Sequence, residues 1–123
     1  MKITPEILTR HGLDRWRVFK ALYPNIGEAP TFTLSRRLRV TIANCDHANR
    51  VIDFRENLFS THGRLMLVTV LPHELAHLVD YDLHGDTSKT WENQGHSETW
   101  CNIMLNYGLE PNRFLHHSLR PVK

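Results

Sequence analysis

His73, Glu74 and His77 stand in the order H-E-x-x-H within Pro72-His73-Glu74-Leu75-Ala76-His77. On an α-helix each residue turns about 100°, so two histidines four apart share a face, about 40° from one another. Two imidazoles so placed can grip one Zn²⁺, which takes tetrahedral N, O or S ligands. Glu74, one position round from His73, can reach a water on that ion and accept its proton. The chemistry is that of metal-assisted peptide hydrolysis. Three fixed residues in five recur by chance, and a histidine pair on a helix is usually polar surface. Here the motif lies inside the apolar segment Leu65 to Val79, where His and Glu without partners would be costly to bury.

A catalytic zinc site needs a third protein ligand. The metzincin spacing would put a histidine six residues after His77, but that position is Leu83. His84, Glu92, His96 and Glu98 follow. Glu92 or Glu98 would complete a His₂Glu set, and His96 a His₃ set. His84 falls about two turns beyond His77 and would point along the helix instead.

The elements that must position these groups are legible in part. Thr4-Pro5-Glu6 predicts a helix N-cap followed by proline at the first helical position, with a short helix running to His11 and stopping at Gly12. Leu13 to Tyr23 predicts a second helix, with Trp16, Phe19, Leu22 and Tyr23 at helical spacing, ended by Pro24-Asn25. From Thr31 to Cys45 the apolar period changes to two, the mark of strand. Asn44 to Asn49 has turn chemistry and Val51 to Phe54 reads as a partner strand, so a small antiparallel sheet is expected, with an edge open to an extended peptide. Ser60 or Thr61 would cap the motif helix, which is expected to run from about Arg64 to Leu83, kinked at Pro72 and ended by Gly85. A last helix begins near Gly95-His96-Ser97. Its face of Trp100, Ile103, Met104 and Tyr107 would pack on the motif helix and bring His96 toward the ion, and Gly108 would close it. The fold class expected is α+β.

The 123 residues suit one domain over 1–123, with 41% hydrophobic and 23% charged residues. Seven of the nine histidines lie after residue 60. The net charge of +2 is uneven: ten Lys/Arg against six Asp/Glu give +4 in residues 1–60, and five against seven give −2 beyond. Arg36, Arg37 and Arg39 cluster, with Arg50 and Arg55 following. They form either a solvated strand edge or a surface for DNA. Cys45 and Cys101 make no C-x-x-C pair, which excludes a zinc ribbon or a disulfide framework. No signal-type stretch or membrane-length apolar run is present, and a cytoplasmic location is expected.

Val70-Leu71-Pro72-His73-Glu74-Leu75-Ala76-His77, then Gly95-His96-Ser97 with Trp100, then Met104, Gly108, Pro111 and Arg113, resemble the SprT/Spartan family of zinc metalloproteases. Upstream, Arg36-Arg37-Leu38 and Val51-Ile52 resemble that family's β-hairpin. The resemblance covers about residues 30–117. It implies a small zincin-like domain in which His73, His77 and His96 hold Zn²⁺ and Glu74 is the general base. It also implies a protein substrate, for the best-known eukaryotic members one crosslinked to DNA. Ser97 stands where many members have Gly, and the C-terminal zinc ribbon of larger members is expected to be missing.

Glu74 would take a proton from the attacking water and pass it to the leaving amine. Tyr107, His116 and His117 are candidates for an oxyanion donor, and Asp80, Glu92 and Glu98 for carboxylates that orient the imidazoles. Two other readings compete. One is a non-catalytic zinc-stabilised module that binds DNA or protein, in which Glu74 would have no task. The other is a regulatory metallopeptidase with one protein target. If DNA is a partner, binding is expected to be weak and without sequence preference.

Overall fold

A computed structural model describes residues 2–37, 41–85 and 98–111. The architecture is α+β. In chain order the elements are α1 (Pro5–Leu22), β1 (Thr31–Ser35), β2 (Ala43–Asp46), β3 (Val51–Arg55), α2 (Leu58–Leu65), a π-helical turn (Met66–Val70), α3 (Leu71–His84) and α4 (Glu98–Tyr107). Among the described residues, no helix is long and apolar enough to cross a membrane.

The N-cap expected at Thr4 is present, its hydroxyl accepting the Ile7 N–H at 3.2 Å. The stop expected at Gly12 is not, because α1 runs through it. Gly12 is there for contact. A Cβ at this position would lie 2.3 Å from the tip of the Phe32 ring. The missing side chain lets β1 press its aromatic residue onto the helix, and Phe32 is buried there.

The sheet is mixed, which corrects the antiparallel expectation. Its order is β1-β3-β2. β2 and β3 form the expected antiparallel hairpin, with Cys45 opposite Ile52 and Asp46 opposite Val51. β1 is parallel to β3, with Phe32 opposite Ile52 and Leu34 opposite Phe54. A parallel pair needs a long crossover, and residues 36–50, including β2, supply it. The turn begins later than expected, because Asn44, Cys45 and Asp46 belong to β2. The Asp46 carboxylate accepts from the Asn49 backbone N–H at 3.2 Å, and Arg50 closes the turn with a φ of 54°.

The motif helix belongs to a longer helical path that starts at Leu58, not near Arg64. Neither Ser60 nor Thr61 caps it; the Ser60 hydroxyl donates to the Asn57 carbonyl at 2.9 Å. The path bends at His62 (φ −132°, ψ 33°) and widens through Met66–Val70. There the Leu71 N–H bonds back to the Met66 carbonyl, five residues earlier. This wide turn answers the difficulty of Pro72. A proline ring crowds the carbonyl four residues before it, here Val68, and Val68 lies within the widened turn. Gly85, at φ 80°, ends α3 as expected, and Gly108, at φ 107°, ends α4.

α1 packs on β1, α3 and α4, while α3 packs on β2 and α4. Phe19, Phe54, Phe59, Leu75 and Trp100 lie fully buried in this shared core. Each such side chain contributes roughly 1.5–3 kcal/mol by leaving water.

Candidate active site

α3 presents its motif inward. Leu71 to Ala76 is buried without interruption, including His73 at 1% exposure and Glu74 at 3%, while His77 is partly open. The His73 and His77 rings have centroids 5.1 Å apart and planes 70° apart. Two imidazoles whose nitrogens each sit about 2.0–2.1 Å from one tetrahedral ion need centroids about 5 Å apart, so the pair fits a shared ion. A Glu74 carboxylate oxygen lies 4.0 Å from His73 Nε2.

Trp100 of α4 walls this pair. Its ring stacks on His77 at 5.3 Å and meets His73 edge-on at 4.8 Å. Its indole N–H donates to the His73 carbonyl at 3.3 Å. The residue fills the core as its helical spacing suggests, and also holds both imidazoles. That second task could not be read from its spacing.

The strand side is supplied by β2, whose Ala43 is buried and whose Cys45 is partly buried against the core. Burial pushes the Cys45 thiol well above its ordinary range, and the negative charges of Glu74 and Asp46 push it further. β2 packs against α3, the motif helix. Among the described residues β2 pairs on one side only, with β3, so it is the sheet edge next to α3.

Among the described residues no three of His, Cys, Asp and Glu gather closely enough to hold an ion. Glu98 opens α4 exposed and does not complete such a group. His84 is engaged elsewhere, its Nδ1 lying 2.9 Å from the Asp80 carboxylate. Glu92, His96, His116 and His117 lie outside the described residues. Asp80, fully buried, also accepts from the Thr99 hydroxyl at 2.6 Å and so ties α3 to the first turn of α4. Tyr107 stacks on Phe19 of α1 at 4.5 Å, which gives it a packing role.

The basic residues divide. Arg36 and Arg37 are exposed, and Arg36 Nε lies 3.4 Å from Glu56. Arg39 lies outside the described residues. The Arg50 guanidinium holds the Asp82 carboxylate at 2.7 and 3.0 Å and sits over the Trp16 ring. Arg55 is partly buried, with its Nε inside the protein.

The model of the SprT-like family matches residues 18–116, most of the chain. The chain belongs to the SprT-like family. The match takes in β1 to β3, the H-E-x-x-H helix, α4 and the stretch between α3 and α4 that contains His96. It makes a metallopeptidase-type role compatible with the buried Glu74 and the paired imidazoles. No curated protein and no solved structure matches the chain.

Proposed function

We propose that this SprT-like protein is a zinc metalloendopeptidase. The observation that carries the reading is the placement of His73 and His77 with their rings edge-on, 5.1 Å apart, beside the buried carboxylate of Glu74. A purely structural zinc site has no use for that carboxylate. His73, His77 and His96 would hold the ion. His96 stands four residues before Trp100, and Trp100 packs on both imidazoles, which supports delivery of His96 from the α4 side.

Bound zinc would supply Lewis-acid chemistry, acidifying water and polarising the scissile carbonyl. Glu74 accepts a proton from the attacking water and donates it to the leaving amine nitrogen. Its low exposure keeps competing bulk water away from that exchange. The edge of β2 that has no partner strand among the described residues offers backbone groups to an extended substrate chain, which would lie alongside α3.

The finer reading is that the substrate is a protein bound or crosslinked to DNA, supported by exposed Arg36 and Arg37 and by family membership. A cytoplasmic setting fits this reading.

The test is Glu74→Gln. The variant should keep the fold and the zinc content and lose casein cleavage by roughly 10²–10⁴ in rate, since an amide cannot take the proton. Cleavage at the rate of the unaltered protein by zinc-loaded Glu74→Gln would remove the mechanism. A closed four-ligand site with no cleavage would favour a zinc-stabilised binding module.

A further inference from the structure

We infer that Arg50 and Asp82 form a brace that seats β2 against the H-E-x-x-H helix and so sets where an extended substrate chain meets Glu74. The substrate half of this inference rests on the peptidase reading; the seating of β2 does not.

The brace joins segments far apart in sequence. Arg50 ends the β2–β3 turn, and Asp82 lies in the last turn of α3. The two guanidinium nitrogens and the two carboxylate oxygens pair fork to fork at 2.7 and 3.0 Å. Charge-assisted bidentate pairs of this kind fix direction as well as distance. Asp82 is nearly buried, with 9% of its side chain exposed, and it also accepts the Gly27 N–H at 2.9 Å. Arg50 in turn donates through Nε to the Glu28 carbonyl at 3.1 Å. The α1–β1 connection, the hairpin turn and the end of α3 thus meet at one ion pair. A second contact runs parallel to it: the His47 ring stacks on Tyr81 at 4.9 Å, with planes 10° apart.

Both contacts lie at one end of β2. From Tyr81 and Asp82 back to Glu74 is about 12 Å along a helix, and three strand residues span about 10 Å. Fixing the turn on the end of α3 therefore lays the rest of β2 back along the helix toward Glu74. The Cys45 thiol marks the result, since it feels the charges of both Glu74 and Asp82. Neither partner is a candidate to touch the reacting atoms, so Arg50 and Asp82 are positioning residues.

The test uses Cys45 as its reporter, in a Cys101→Ser background so that one thiol remains. The rate of Cys45 modification by a disulfide reagent is measured under native conditions, together with KM and kcat for casein with zinc present. Arg50→Ala and the near-isosteric Asp82→Asn should speed thiol modification by about tenfold or more as the hairpin lifts. They should raise KM for casein with a much smaller change in kcat. Arg50→Lys, which keeps the charge and one donor toward Asp82 but not the fork, should fall between Arg50→Ala and the starting protein in both quantities. An unchanged thiol rate in folded Asp82→Asn would overturn the brace, whatever happens to cleavage. A faster thiol rate with unchanged KM, or with loss in kcat alone, would overturn its role in placing substrate. If the starting protein, carrying zinc, cleaves no casein, the peptidase reading fails and the thiol rates still decide the seating of β2.

Discussion

The Thr99 hydroxyl donates to the buried Asp80 carboxylate at 2.6 Å, joining the first turn of α4 to the helix that carries the motif. The donor stands one residue before Trp100, which walls both imidazoles. Thr99→Val keeps the shape and deletes the donor. It should lower stability by about 1.5–3 kcal/mol, the range for a hydrogen bond to a charged group, read from urea unfolding. A midpoint equal to that of the unaltered protein would assign α4 docking to its buried face of Trp100, Ile103 and Met104.

The metal prediction concerns the third ligand. His96→Ala should retain the fold and lose zinc, or hold it far more weakly, in competition with a chelator. If zinc survives His96→Ala and is lost in Glu92→Ala, the set is His₂Glu. The two outcomes separate cleanly because His73 and His77 are common to both.

Cys45 predicts a pH dependence. Its thiol is held above an ordinary value of 9.0, chiefly by burial. Below pH 9 it is protonated in the folded and unfolded chain alike, and its contribution to stability is intact. Above pH 9 the unfolded chain releases the proton while the folded one keeps it, so unfolding becomes more favourable. Stability should fall from about pH 9 upward, and Cys45→Ala should flatten part of that fall in urea titrations. Tyr107, also raised by burial, contributes in the same direction and leaves a residual slope.

DNA binding, if Arg36, Arg37 and Arg39 contact phosphates, should weaken steeply with salt. Each lost contact should reduce the slope of log K against log salt by roughly 0.7–0.9. The Arg36/Arg37/Arg39→Ala variant is compared with the unaltered chain on single- and double-stranded DNA at low salt, for binding and for cleavage rate. Identical behaviour of the two, with no effect of DNA on either, would leave a small peptidase with a protein target away from DNA.

The parts of the molecule visible in the sequence are those written in short-range patterns. The Thr4 cap, the inward face of α3 and the face of Trp100, Ile103 and Met104 each repeat within a few turns. Gly12 was misleading because its reason lies in Phe32, twenty residues on and in another element. The parallel pairing of β1 with β3 has no local signature, since the residues of both strands alternate as they would in a hairpin. The Arg50–Asp82 pair spans 32 positions, and nothing in either neighbourhood names the other. Arg50 therefore reads as one more member of a basic cluster until its partner is seen.

The widened turn at Met66–Val70 has a consequence for what insertions and deletions this helix can tolerate. It takes up one more residue than a regular turn, and one residue corresponds to about 100° of rotation. The turn therefore absorbs an extra residue while α3 keeps its face toward the core. Removing a single residue between 66 and 70 would let the backbone close into regular helix with the angle of α3 nearly kept, whereas the same deletion in a regular turn of α3 before His73 would swing the motif by about 100°. Only that second deletion would take His73 and Glu74 from the side shared with Trp100 and β2, with every residue of the motif still present.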